Sequence, residues 1–278
     1  MTAILQASLF GGPEIKVPKT IGKAAVASIE SLHLLNPGKG QVSGFDYTLN
    51  PYRGCSFDCS YCYAPSFVAE EDKRANWGRW VEVKKNALMA LDRADLGDKS
   101  VLMSSVTDPY QPLEAKTELT RAIVERLLEM QPRLVVQTRS PIVERDIDLF
   151  KRFRSIRVNV SIPTDSEEVR RAYEPSCASI ERRLRTVETL ARNGLKTTVC
   201  ISPMLPMDDP GLFGKRLDEI GASRVVTSWF HESNRAFASN TRKMALGLNS
   251  RYGWTEDGFR DCYEALKGSC RAFSGSYK

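Results

Sequence analysis

Short apolar or β-branched runs alternate with longer amphipathic stretches along this chain from about residue 45 onward. The runs fall at 45–49, 100–103, 134–137, 157–162, 196–201 and 224–228. Each is brief, bounded by polar or proline-containing loops, and fits a buried parallel strand. Between them, 119–130, 143–153, 180–193 and 212–220 carry helical spacing. In the third of these, Ile180, Leu184, Val187, Leu190 and Ala191 recur at three- to four-residue steps, and Gly194 closes it as a C-cap residue. Six strands with intervening helices predict an α/β array rolled into a partial barrel, although periodicity alone does not separate this from a flat doubly wound sheet. In both architectures chemistry sits at the C-terminal strand ends.

The ends read as additions to one domain. A helix is expected over 24–35, followed by a turn at 36–41, and two helical patterns occupy 241–248 and 256–267. The division is therefore an N-terminal extension over 1–44, a core over 45–230 and a C-terminal helical extension over 231–278.

Composition narrows the class without naming a function. The 278 residues are 42% hydrophobic and 27% charged, as in an ordinary soluble protein that can bury a sizeable core. No apolar run reaches the roughly 18 residues of a membrane span. The first residues lack the features of a signal peptide, and seven cysteines form an odd set, so free thiols in a reducing cytoplasm are expected. The net charge of +6 is compatible with an anionic substrate but does not demand one. Part of it is local: 139–157 holds six basic residues against three acidic ones, and 182–196 holds five against Glu188 alone. Both read first as solvated helix faces.

The densest chemical signal is the run GCSFDCSYCYAP, where Cys55, Cys59 and Cys62 are spaced C-x3-C-x2-C. Three thiolates this close in sequence can ligate three irons of a cuboidal iron–sulfur cluster. No fourth cysteine follows nearby, so one iron would stay open for a non-protein ligand, the mark of a reactive metal centre. The competing reading is a zinc site completed by a distant ligand such as Cys177 or His231. Structural zinc more often uses paired two-ligand knuckles than a clustered triplet.

With the aromatic Tyr61 before the third cysteine, the motif resembles that of the radical S-adenosylmethionine (SAM) superfamily. Three longer runs, TLNPYRGCSFDCSYCYA at 48–64, SSVTDPYQPLE at 104–114 and YEPSCASIERRL at 173–184, are similar to its spore photoproduct lyase-like, "DNA repair photolyase" branch. The resemblance spans about residues 35 to 230 and implies a partial (β/α)6 TIM-like barrel. It implies a [4Fe–4S] cluster on Cys55, Cys59 and Cys62, and SAM bound at the open iron and cleaved reductively to a 5′-deoxyadenosyl radical. It further implies that Tyr61 and Tyr63 flank the adenine side of SAM, Thr107 contacts its amine, Arg139 holds its carboxylate and Ser161 contacts its ribose. A guanidinium suits a planar carboxylate because it can bind bidentately. Electrons would come from a partner such as flavodoxin or ferredoxin, and a nucleotide or nucleic acid lesion is the substrate class implied. Modification of a peptide or small metabolite, and a non-catalytic iron–sulfur sensor or scaffold, are the alternatives.

One position departs from the branch. Where spore photoproduct lyase has a hydrogen-donating cysteine two residues before the amine contact, this chain has Ser105. A hydroxyl O–H is a poor hydrogen-atom donor beside a weak, polarisable thiol, which argues against the same repair route. Cys177 is the thiol that could deputise, with a small, partly buried residue after the Glu174-Pro175 break the plainer reading.

Asp108, Tyr110 and Gln111 are expected at the pocket mouth, either touching the substrate or supporting the residues that do. Glu114 and Arg183 read as a structural ion pair, Cys200 as core, and Cys262 and Cys270 as unrelated to a second cluster. His231 and Glu232 follow the last strand as a possible acid–base pair, with a structural histidine the plainer reading. Trp77 and Trp80, interleaved with Lys73, Arg74 and Arg79, read as surface packing before nucleobase stacking.

Overall fold

In the strand that reads Arg157-Val158-Asn159-Val160-Ser161, the two valines are fully buried and join the main apolar core, while the polar residues face the other way. This two-residue alternation, set by the pleat, organises the whole molecule. The computed structural model describes residues 16–31, 33–230 and 241–276. Six strands run parallel in chain order: β1 Tyr47–Leu49, β2 Ser100–Met103, β3 Arg133–Thr138, β4 Ile156–Ser161, β5 Lys196–Ile201 and β6 Arg224–Thr227. Leu35–Pro37 is added antiparallel outside β1, and Phe273–Ser276 is added parallel outside β6. The eight-stranded order is linear, so the sheet is open.

On one face, Leu134, Val136, Val158, Val160, Val199 and Val225 are buried together with the apolar stripes of helices Leu119–Met130 and Ile180–Arg192. Burying each such side chain stabilises the fold by about 1.5–3 kcal/mol. The opposite face carries Gln137, Asn159, Ser161 and Thr198, which are in register across β3, β4 and β5 with Cys200 beside Ser161. The strands expected as uniformly buried runs thus have an apolar side for the helices and a polar side for a lumen.

The N-terminal region differs from expectation. In place of a helix over 24–35, Ala24–Ile29 is a strand in a separate four-stranded sheet, between Thr20–Ile21 and Trp80–Lys84, with Tyr52–Arg53 at the far edge. Its alanines favour a helix weakly, but the parallel neighbour Trp80–Lys84 offers a ladder in which Val26 pairs Val81. Tertiary pairing overrides local propensity here. The helix expected at 143–153 is a 3-10 turn, Pro141–Asp146, followed by one α-turn, Ile147–Phe150. Pro141 opens the turn, and Ser140 Oγ accepts from Ile142 N at 3.3 Å. The tail forms helices Lys243–Tyr252 and Glu256–Ser269. No helix among the described residues is long and apolar enough to cross a membrane.

Candidate active site

The cysteine loop leaves the short strand Tyr52–Arg53 at Gly54, whose φ of +82° is a left-handed conformation. A Cβ there would lie 2.6 Å from the Trp80 carbonyl oxygen, so only glycine fits. Residues beyond β2 fasten the loop. Thr107 Oγ1 donates to the Gly54 carbonyl at 2.6 Å, Gln111 Nε2 donates to the same oxygen at 3.3 Å, and Ser56 N donates to Gln111 Oε1 at 2.9 Å. From the tail, Arg242 Nη1 reaches Asp58 Oδ1 at 2.7 Å and the Cys59 carbonyl at 3.0 Å.

This fastening brings Cys55, Cys59 and Cys62 to one cavity of about 90 Å³, shared with Thr107, Asp108 and Ser161 at the C-terminal strand ends. Burial pushes the Cys55 thiol well up and the Cys62 thiol up to about 12. Cys59 is held below its ordinary value, first by its hydrogen bond with Cys177 and then by Arg139, against burial. Three soft donors converging on one space fit an iron–sulfur centre. Two of them must lose protons against burial, so metal loading there is coupled to proton release. A second cavity of about 370 Å³ opens beside the first and shares Cys62, Tyr63, Ser105 and Arg139 with it.

Behind Cys59 lies a buried ionic network. Arg139 Nη1 donates to Cys59 Sγ at 3.0 Å, Tyr61 Oη at 2.6 Å and Glu174 Oε1 at 2.5 Å. Glu174 Oε2 accepts from Arg183 Nη2 at 2.6 Å, and both side chains are fully buried. The Tyr61 hydroxyl also donates to Glu174. Burial pushes the Glu174 carboxyl up, but Arg183 and Arg139 together outweigh it and hold it low. Cys177 Sγ lies 3.8 Å from Cys59 Sγ. Cys59, Glu174 and Cys177 therefore present three ligand atoms within 4.8 Å of one another, a set able to hold a metal ion. Cys177, however, does not line the cavity that the cysteine triplet shares.

The residues singled out by sequence fall into two groups. Tyr61, Tyr63, Thr107, Arg139 and Ser161 each line one or both cavities. The Tyr63 hydroxyl donates to the Ser105 carbonyl, and Ser105 itself, held by Asn50 Oδ1 at 3.0 Å, stands at the junction of the two spaces. Asp108, Tyr110 and Gln111, expected at the mouth, are buried and act as supports, the second of the two roles expected, with Asp108 also lining the thiol cavity. Asp108 accepts from Thr138 Oγ1 at 2.6 Å and from Arg139 N at 2.9 Å, which fixes the start of the Arg139 side chain. Burial pushes its carboxyl up despite these bonds. Tyr110 points away, its hydroxyl donating to Asp146 at 2.9 Å.

Glu114 and Arg183 do not pair with each other. Glu114 bonds Arg145 at 2.6 Å and Tyr52 at 2.5 Å, whereas Arg183 bonds Glu174. Trp77 is buried and Trp80 meets it edge-on at 5.7 Å. Arg53 and Lys73 stand 5.4 and 5.2 Å from the Trp80 ring, so packing occupies that surface. Cys200, Cys262 and Cys270 are buried apart from the triplet. His231 and Glu232 lie outside the described residues. Sequence reasoning missed Glu174 and Arg183 as a site pair. The signal was present in the run YEPSCASIERRL, where a charged pair nine residues apart spans a proline break and the start of a helix.

Comparisons with known proteins agree with this geometry. The model of the radical SAM superfamily matches residues 49–211, more than half of the chain. An uncharacterised protein of Methanocaldococcus jannaschii is 36% identical over 184 residues, 66% of this chain and 69% of its own length. A radical SAM Nalpha-GlyT isomerase of Pseudomonas phage M6 is 25% identical over 73% of this chain and 42% of its own. Among solved structures, a mutant spore photoproduct lyase with bound AdoMet and dinucleoside spore photoproduct superposes with a TM-score of 0.62 at 13% identity, over 91% of this chain and 82% of that one. At that identity the likeness is one of fold. With its cysteine triplet gathered at the strand ends and its family model matched across them, the chain belongs to the radical SAM superfamily and is an enzyme of that type.

Proposed function

We propose that this protein binds a [4Fe–4S] cluster through Cys55, Cys59 and Cys62 and cleaves SAM reductively, on a partial (β/α)6 barrel spanning 45–230 with extensions at either end. The observation that carries this reading is the single cavity shared by the three thiols with Thr107, Asp108 and Ser161. When bound, a cluster with one open iron and SAM supply a carbon-centred radical able to abstract hydrogen from a substrate. The chain's own residues then have distinct tasks. Arg139 lowers the cost of the Cys59 thiolate, and Glu174 balances Arg139 and Arg183 in a space from which water is largely excluded. Arg139 and Thr107 are assigned to the SAM carboxylate and amine, Tyr61 and Tyr63 to the adenine side and Ser161 to the ribose, a reading supported by the family resemblance and by their lining the two adjoining cavities.

The substrate class favoured is a nucleotide or a nucleic acid lesion, supported by the branch resemblance of 48–64, 104–114 and 173–184 and by the mild basicity of the chain. Ser105 in the hydrogen-donor position speaks for a reaction other than spore photoproduct repair. A small flavodoxin- or ferredoxin-like donor fits the electron requirement, and the free thiols fit a reducing cytoplasm. The test is anaerobic reconstitution with iron and sulfide, then reduction with dithionite in the presence of SAM. Detection of 5′-deoxyadenosine by chromatography is expected. A loaded cluster with no nucleoside product would instead assign a sensor or scaffold. A colourless protein holding one zinc would assign the zinc site.

A further inference from the structure

At the other end of the strands the lumen holds polar groups that nothing among the described residues satisfies. Asn159 Oδ1 and Thr198 Oγ1 are buried and have no hydrogen-bond partner, and both residues are about 3% exposed. Buried orphan polar atoms are rare in folded proteins and point to a missing partner. Both line one cavity of about 320 Å³, whose rim carries Arg157 and Arg224. The strand register explains the grouping. Thr198 lies between Asn159 on β4 and Arg224 on β6, and Arg157 is two residues before Asn159 on the same face.

This cavity shares Gly44, Phe45, Val135 and Arg157 with an outer cleft of about 690 Å³. The cleft adds Arg133, Lys151, Arg154 and Lys196. No acidic side chain lines either space among the described residues. The salt bridges of the described residues include none to Arg154, Arg157, Lys196 or Arg224. Uncompensated guanidinium groups in a cleft attract a multiply charged oxyanion, and phosphate matches their fork. Behind them, the Asn159 carbonyl oxygen requires a donor, and the Thr198 hydroxyl can donate or accept.

We propose that the base of the strand array, opposite the cysteine cavity, is a binding site for a phosphomonoester of a hydroxyl-bearing small molecule, of which a sugar phosphate is the simplest. Its phosphate meets Arg157 and Arg224 at the rim, and its hydroxyl groups enter toward Asn159 and Thr198. The cavity is of the size that holds such a molecule. The site does not depend on the radical chemistry.

Isothermal titration calorimetry of the full chain with ribose 5-phosphate, inorganic phosphate and ribose tests it. Ribose 5-phosphate is expected to bind once per chain and more tightly than phosphate, with no binding of ribose at the same millimolar concentrations. Arg157→Gln and Arg224→Gln, at exposed positions where folding is not at stake, should each weaken it by about tenfold or more. Thr198→Val should remove the preference over phosphate and leave phosphate binding in place. Cys62→Ala should change none of these affinities. The proposal is overturned by the absence of saturable binding, by binding indifferent to Arg157→Gln, by no preference over phosphate, or by equal loss in Cys62→Ala.

Discussion

The two ends of the polar lumen treat charge in opposite ways. At the cysteine end, the partly buried Arg139 and the fully buried Arg183 both reach Glu174, and Asp108 stands 3.9 Å from Arg139, so the charges largely balance within the protein. At the base, Arg157 and Arg224 line the same cavity as Asn159 and Thr198, whose buried oxygens are orphaned, and pair with no carboxylate among the described residues. A balanced network holds its shape before anything binds, whereas an unbalanced one is completed by what binds. The Cys55 and Cys62 thiols add no charge to that end before metal binds: burial raises both, so they stay neutral until a metal replaces their protons.

The sharpest way to break the contrast is to remove a thiol. Ala at any one of Cys55, Cys59 or Cys62 should abolish iron retention after anaerobic reconstitution, since the triplet has no spare member in its cavity. Ala at Cys200, outside that cavity, should leave iron content near that of the parent. Cys177→Ala is the informative control. Retained iron would place Cys177 as a neighbour of Cys59, and lost iron would promote the Cys59–Glu174–Cys177 set.

Next in size is the balance itself. Glu174→Gln leaves the buried Arg183 guanidinium without its carboxylate and Arg139 with Asp108 alone at 3.9 Å, and should cost about 3–5 kcal/mol in urea unfolding of the metal-free protein. The same carboxylate gives the network a pH signature. Because Arg183 and Arg139 hold its folded value low, its contribution is fully present above the ordinary glutamate value of about 4.3. It fades as pH falls through the lowered folded value. The stability gap between the parent and Glu174→Gln should therefore be constant near neutrality and shrink only in acid. A gap that closed between about pH 7 and pH 5 would contradict the depressed value.

The positions of the six parallel strands were legible in the sequence because each run is short and punctuated by loops, whereas their order in the sheet came only from the structure. The cysteine triplet was legible because its ligands are neighbours in the chain. The Glu174–Arg183 pair and its meeting with Arg139 were not, since that contact crosses 35 residues and depends on which strand neighbours which. Ala24–Ile29 misled for a related reason. Six small and apolar residues carry little local preference, and their partner Trp80–Lys84 lies far along the chain. Asp108 and Gln111 were placed in the right neighbourhood, but sequence could not show that their side chains turn inward to brace Arg139 and the cysteine loop.

The smallest effect expected sharpens what Thr107 does. A threonine hydroxyl has one donor and two acceptor positions. In this structure the donor goes to the Gly54 carbonyl, and one acceptor position takes the Gln111 amide at 3.2 Å. A remaining lone pair can accept from an ammonium group but the hydroxyl has no proton left to give, which suits the amine of SAM and not its carboxylate. Thr107→Val removes all three capacities at nearly constant volume. It should lower stability by about 1 kcal/mol through the lost tie to Gly54 and weaken SAM binding to the loaded protein several-fold. Thr107→Ser keeps the oxygen and should restore both. Restoration of stability without restoration of SAM affinity would leave Thr107 as a brace for the cysteine loop alone.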